Sequence, residues 1–310
     1  MTRSSTTLTT LVLCALAGTV HVHAADLPDV ARLRAEGASS VTLEIDNDSL
    51  LLNRADGFYT SGARIGQRID LHSAGRLDSI GWRIGQEMYT PSDTGLSPAQ
   101  IGPPDHPYAG WLFGGVYRQQ ALADGTRWKL GMDLGCLGPC AGGEWTQTHL
   151  HRLIGQQLPQ GWAKQVRNEF GAVLYGELAP VRWKFGSAVD LIPVLQARFG
   201  NIFTDAGASV QLRAGRLNML PDQPTMHGFL RAEARAVGFN ATLQGGYFSS
   251  GNPHTVEPKR LIGEAEIGAV WQRSPWSISA SVVRRGNEIR ALPDRIGTQN
   301  FVRLLFAYAL

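Results

Sequence analysis

Three short polar stretches of this chain hold residue types that could bind a cation, polarise a bond and move a proton. The first is Asp46-Asn47-Asp48-Ser49, which directly follows the apolar run from Val41 to Ile45. Carboxylate and amide oxygens at this density suit a hard cation such as calcium, although the spacing is not that of an EF-hand loop. A turn held by Asx hydrogen bonds is the ordinary explanation of such a run. The second stretch is Asp56-Gly57-Phe58-Tyr59-Thr60-Ser61-Gly62. If it opens a strand, Thr60 falls on the polar face, and Gly62 on that face leaves room for a substrate or another chain. A strand entry facing a wet interior explains it equally well. The third is Gln147 with His151, four apart, so that both address one side of a helix. An imidazole of pKa about 6.5 can take a proton from water near neutral pH. A lone histidine more often serves as a hydrogen-bonded structural residue, and His149, on another helix face, carries no role.

Other chemistries have no signal. There is no Gly-x-Ser-x-Gly elbow, no phosphate-binding glycine loop and no His-Glu-x-x-His zinc motif. Cys136 and Cys140 lack the spacing and histidine partners of a zinc site. They form either a local disulfide, as an oxidising compartment allows, or two half-buried thiols.

The elements that must position these residues are mostly strands. Tyr59, Ala63, Ile65 and Ile69 share one parity, while Thr60, Gly62, Arg64, Gly66, Arg68 and Asp70 share the other. Such alternation puts the two sets on opposite faces of a strand, one suited to lipid and one to a polar interior. The pattern returns at Trp111, Phe113 and Tyr117, at Trp128, Leu130, Met132 and Leu134, and at Trp276, Ile278, Ala280 and Val282. Soluble sandwiches also alternate. Aromatic residues near strand starts fit interfacial girdles, however, and Val302, Leu304, Phe306, Tyr308 and Leu310 form one face of a closing strand. A terminal Phe is the usual form there, so Leu310 is a departure. The segment Gly142 to Arg167 breaks this rhythm with a short amphipathic helix that stops near Gly155 and Pro159, placed to cap or line a cavity.

The chain of 310 residues carries a net charge of +3 and no Lys/Arg block, which argues against a nucleic-acid partner. Arg3, the apolar run Leu8 to Val20 and small residues at Val22-His23-Ala24 read as a signal peptide over 1–24. Residues 25–310 then form one domain. The expected fold is all-β: a transmembrane antiparallel barrel of about twelve strands in the outer membrane, with a short helix near the active site.

Taken in order, these stretches resemble the lipid A 3′-O-deacylase (LpxR) family of outer-membrane proteins. The motifs are Asn47-Asp48, Asp56 with Tyr59-Thr60-Ser61-Gly62, Pro107-Tyr108-Ala109-Gly110-Trp111, Gly138-Pro139, Gly142-Gly143, Gln147 with His151, and Pro159-Gln160-Gly161-Trp162 before Asn168-Glu169. The resemblance runs over nearly the whole mature chain. It implies a twelve-stranded barrel, active toward the outer surface, in which Ca2+ assists hydrolysis of the ester holding the 3′ acyloxyacyl group of lipid A. Carried over to this sequence, His151 is the general base, Asn47 and Asp48 belong to the metal and oxyanion site, and Thr60 and Gln147 line the reacting centre. Lipid A or lipopolysaccharide is then the substrate, membrane lipids the surroundings, and the protein a monomer.

Some features depart from that pattern. Where some members carry basic residues, this chain reads Asp93-Thr94-Gly95-Leu96-Ser97-Pro98. Arg64 and Arg68 could supply phosphate contacts instead, or simply balance interior carboxylates. Two alternatives stand beside the deacylase: a calcium-dependent phospholipase, whose serine would be Ser49 or Ser61, and a non-enzymatic porin-like barrel.

Overall fold

The computed structural model describes residues 29–51 and 57–310. The signal segment expected over 1–24 lies outside the described residues, as does Asp56. Helix α1 (Val30–Glu36) is capped by Asp29, whose carboxylate accepts from Ala31 N. Strands follow: β1 (Ala38–Asn47), β2 (Phe58–Ser73), β3 (Arg76–Thr90), β4 (Ala109–Leu122), β5 (Arg127–Leu137) and β6 (Glu169–Ala179). After helix α2 (Gly143–Ile154), which lies between β5 and β6, come β7 (Trp183–Phe185), β8 (Val189–Gly200), β9 (Phe203–Arg216) and β10 (Thr225–Asn240). The chain ends with α3 (Ala241–Gln244), β11 (Leu261–Arg273), β12 (Trp276–Arg285), α4 (Asp294–Gly297) and β13 (Gln299–Ala309).

Neighbouring strands pair antiparallel, and the wall closes where β6 meets β8, Val173 opposite Gly200 and Leu178 opposite Leu195. The three-residue β7 extends the wall from β8 only locally, so twelve strands make the closed barrel. The terminal strand β13 sits between β1 and β12, with Tyr308 opposite Val41 on one side and Trp276 on the other. Pairing of β6 with β8 closes the wall, as strands in hydrocarbon require. The last strand therefore does what its alternation suggested, with Leu310 in place of Phe.

Both ends of the wall, Ala38 and Ala309, lie at the rim that carries the tight turns 74–75, 123–126 and 274–275. The other rim carries the long segments 91–108, 138–168, 241–260 and 286–298. Short turns face the periplasm and long loops the exterior in such barrels, so the second rim is the outer one.

Inside, charges are paired. Arg64 reaches Glu44 at 2.7 Å and Glu87 at 2.6 Å, Arg303 reaches Asp46 at 2.9 Å, and Arg231 reaches Glu264 at 2.7 Å. Charges removed from water need such partners. Arg64 thus balances interior carboxylates, and Arg68 pairs with Asp70 at 2.9 Å. Outside, Leu130, Met132, Leu134, Trp276 and Val282 are exposed, as an apolar belt demands. On β4 the aromatic residues take the opposite face from a girdle. Trp111 and Phe113 stack in the lumen with Tyr59, Tyr89, Phe203 and Phe301, while Leu112 and Val116 face outward. The reason is space: Gly171 lies beneath Trp111, where a Cβ would come within 2.4 Å of the ring.

Candidate active site

Strand β3 alternates to its outer end. Glu87 and Tyr89 point into the lumen, where the Tyr89 hydroxyl donates to Glu87. Gln86, Met88 and Thr90 must then point out of the barrel. Gln86 Nε2 donates to Ala141 O at 2.6 Å, and Met88 packs with Ile101, Tyr108 and Trp162. Gly110 of β4 faces the same way; a Cβ there would stand 3.1 Å from Ala141 and 3.5 Å from Gly143 N. Its missing side chain lets the start of α2 lie against the wall. The helix packs over the outward faces of β3 and β4. The helix, expected to cap or line a cavity, therefore lies on the outside of the wall rather than over the lumen.

Two glycines in the left-handed region, Gly142 at φ 69 and Gly155 at φ 70, turn the chain into and out of α2. The start is fixed from β5 as well. Cys136 and Cys140 are disulfide-bonded, with Cα atoms 6.0 Å apart, and Cys140 N donates to Asn168 Oδ1 at 2.8 Å. The wall-facing side of α2 carries Gly143, Gln147 and His151, all buried. Gln147 Oε1 accepts from Trp162 Nε1 at 2.8 Å, which presents the amide nitrogen as a donor. His151 Nδ1 lies 2.5 Å from Gln157 O. A carbonyl only accepts, so Nδ1 carries the proton and Nε2 the lone pair.

The other candidates stand on the ends of β1 and β2. A bulge between Tyr59 and Ser61, entered through Phe58 at φ 63, resets the parity of β2. Tyr59 turns into the lumen, where its hydroxyl donates to Asp46 at 2.9 Å. The room expected at Gly62 is filled by that same hydroxyl, 2.1 Å from where a Cβ would be. Thr60 shares a 2.6 Å hydrogen bond with Thr90, placing its hydroxyl on the outward face rather than in the interior. Asn47 follows the inward Asp46 and is also outward; its Oδ1 accepts from Ser49 N at 2.8 Å and from Ser49 Oγ. That is the Asx turn foreseen for this run. Asp48 is buried, donates its N–H to Thr60 O at 3.3 Å and accepts from Gly57 N at 2.9 Å through Oδ2.

The structure therefore joins Asp48 to Thr60, and Gln147 to His151 on one helix face. Thr90 bonds Thr60 in the first group, and Trp162, packed with Met88, bonds Gln147 in the second. Thr90, Trp162 and the Gln157 carbonyl are the residues that sequence reasoning gave no role. A buried indole N–H needs an acceptor, which was a usable signal for Trp162; Thr90 had none. A lumen cavity of 560 Å³ is lined by Arg64, Arg68, Asp70 and Gln272, and by none of the five candidates.

The side chains of Asp48, Asn47 and Thr60 offer oxygen as the ligand atom, which fits a hard cation. Among the described residues no group of three or more His, Cys, Asp or Glu is placed to hold a metal. A cation here would rest on the Asp48 carboxylate and the neutral oxygens of Asn47 and Thr60.

Residues 8–309 match the family described as Outer membrane protein LpxR. Among solved structures, LpxR from Salmonella typhimurium aligns with a TM-score of 0.72 at 23% identity, covering 87% of this chain and 100% of that one. This likeness shows the fold. The beta domain of the Bordetella autotransporter BrkA aligns more loosely, with a TM-score of 0.43 at 12% identity, covering 89% of this chain and 99% of that one. No curated protein sequence matches. Because the family match spans nearly all of the sequence, the chain belongs to the LpxR family of outer-membrane proteins.

Proposed function

We propose that this protein is a carboxylic ester hydrolase that removes the 3′-linked acyloxyacyl group from lipid A, with calcium as cofactor. Membership of the LpxR family supports the coarser reading, an outer-membrane enzyme that modifies lipid A. The observation that carries the finer one is a buried imidazole of fixed tautomer beside a buried, oriented amide, both on the membrane side of the barrel wall.

In this mechanism His151 Nε2 takes a proton from water as the oxygen attacks the ester carbonyl carbon. The Gln147 amide N–H donates to the oxyanion that develops there, an interaction stronger in the transition state than in the ester. The Asp48 carboxylate, with oxygens of Asn47 and Thr60, would hold a calcium ion, which would supply positive charge to that oxyanion. His151 then returns the proton to the sugar oxygen as the acyl–oxygen bond breaks, giving a free acid and a sugar hydroxyl. Thr90 holds the Thr60 hydroxyl in place. No covalent enzyme intermediate is needed.

The test is mass spectrometry of lipid A from cells expressing the protein or its His151→Ala variant. Loss of the 3′ acyloxyacyl mass with the unaltered protein alone supports the reaction and the base. An unchanged spectrum, with both proteins inserted and calcium present, refutes it.

A further inference from the structure

The lumen holds a smaller chamber at its periplasmic end, on the other side of the wall from the candidate active site. Four strands, β11, β12, β13 and β1, separate β10 from β2 in the wall. Even so, Asp222, from the segment 217–224 between β9 and β10, meets His72 of β2 at 3.0 Å. Leu220 of the same segment is buried against Leu77 of β3 and Ala121 of β4. The segment is therefore a strap drawn across the periplasmic mouth. Its residues 218–221 help enclose a cavity of 230 Å³.

The walls of this cavity carry an excess of positive charge. Leu130 and Leu212 are exposed on the lipid side, so Arg127 and Arg213, on the opposite parity of β5 and β9, face the lumen. Arg182 joins them from the turn before β7. Arg182 at 2.5 Å and Arg213 at 2.7 Å share one carboxylate, the buried Asp190, which does not itself line the cavity. Arg127 forms no ion pair among the described residues, and Glu177 of β6 attracts it from beyond contact distance. Guanidinium groups drawn out of water need opposite charge, and their forked donors match the oxygens of a phosphate. Gln211 and Thr225 add neutral polar groups to the lining.

His227, also buried in this lining, adds an acceptor. The Thr225 hydroxyl donates its one proton to Arg216 O at 2.8 Å, so its contact of 2.7 Å with His227 Nδ1 is one in which the ring nitrogen donates. That leaves a lone pair on Nε2. A carboxylate, a sulfate or a phosphodiester has no proton to offer it; monohydrogen phosphate has one. A water needs about 10–15 Å³ of such space, so the cavity has room for a tetrahedral oxyanion with several waters.

We infer that this chamber binds monohydrogen phosphate from the periplasm, its oxygens facing Arg127, Arg182 and Arg213 and its hydroxyl donating to His227 Nε2. The anion also secures the strap. Arg182 Nη1 donates to Asn218 O at 2.7 Å and Arg213 Nη1 to Asn218 Oδ1 at 3.2 Å, so what holds the two arginines holds the segment they grip. The site goes beyond the ester hydrolase reading, and neither depends on the other.

The test is isothermal titration calorimetry of inorganic phosphate into the full-length protein in detergent micelles. A calcium-free chloride buffer slightly above neutral pH keeps the monohydrogen form dominant. Sulfate, of the same shape and charge without the hydrogen, and dimethyl phosphate, standing for a lipid diester, are titrated alongside. One phosphate should bind per chain, with sulfate and dimethyl phosphate weaker by about tenfold or more. Arg127→Gln should weaken phosphate by about tenfold or more and leave lipid A hydrolysis unchanged. His227→Phe should bring phosphate down to the affinity of sulfate. Insertion of each variant is checked by heat-modifiable gel mobility. Phosphate should also slow amide exchange across 217–224 in the unaltered protein, a measurement that decides the matter even where a substitution fails to insert. Absent saturable phosphate binding, sulfate or dimethyl phosphate bound as tightly, undiminished affinity in inserted Arg127→Gln, or unchanged exchange in the strap each overturns the inference.

Discussion

Replacing Trp162 by Phe removes a hydrogen bond that orients the Gln147 amide. The indole is buried, its ring centroid lies 4.8 Å from that of Tyr108, and it packs with Met88 and Ile101. Phe keeps most of this apolar contact but deletes the N–H that reaches Gln147 Oε1 at 2.8 Å. Removing a partner from a buried acceptor costs about 1–3 kcal/mol. If that energy holds the amide in its donating orientation, the loss appears in the transition state, and about 1.4 kcal/mol corresponds to a tenfold fall in rate. The expected result is therefore a drop in kcat on purified lipid A in mixed micelles of about tenfold or somewhat more, with KM little changed. Trp162 is a positioning residue acting through Gln147, so a double-mutant cycle tests the route. Trp162→Phe combined with Gln147→Ala should be no slower than Gln147→Ala alone. Strictly additive losses, or an unaltered kcat in Trp162→Phe, refute the reasoning.

Three further outcomes are expected. Calcium should raise the unfolding temperature of the native protein but not of Asp48→Asn, the shift reflecting about 2.7 kcal/mol at a hundredfold excess over the dissociation constant; chelator-resistant activity would count against a cation at Asp48. The bond between Cys136 and Cys140 closes a loop of sequence separation 4, so breaking it removes about 2 kcal/mol of constraint in the chain-entropy picture. Reductant should then speed amide exchange across residues 143–154 in the native protein and leave the Cys136→Ser, Cys140→Ser double variant unchanged; equal exchange before and after reduction would speak against the anchoring role. In the outer-rim loops, burial holds the pKa values of His106 and His254 below their usual 6.5. A lowered folded value means that the loop packing is at full strength above about 6.5, where the unfolded segment is also neutral, and is lost as pH falls toward the lowered values. Proteolysis of segment 91–108 should accelerate on acidification from neutrality, less so in His106→Phe; a rate independent of pH contradicts this.

Much of the wall was legible in the sequence because a strand's period of two needs no knowledge of its neighbours. Leu130, Met132 and Leu134 face lipid as their alternation says, and Val302 to Leu310 close the barrel as a terminal strand should. The end of α2 followed from Gly155 and Pro159, since a left-handed glycine and a proline act locally. Gln147 and His151 shared a face by helix geometry alone, and the Asx turn at Asn47 is likewise a local bond.

Which side of the wall those residues serve could not be read in the same way. Parity assigns two faces but does not name them, and a single bulge at Tyr59–Ser61 exchanges them for the very residues in question. Tyr59 went inward because Asp46, Gly62 and Phe301 provide a hydroxyl acceptor, space and a ring on three other points of the barrel. Trp111 and Phe113 took the lumen for the same reason, filling volume over glycines distant in sequence. The placement of α2 outside the wall depends on Gln86 and Gly110 of two other strands. The sequence by itself determined the strands, the helix and the pairs of polar residues within each, because those rest on periods and turns a few residues long. Tertiary structure alone decided that Thr60 faces the same side of the wall as Gln147 and His151, because that depends on how separate strands twist, bulge and pack against one another.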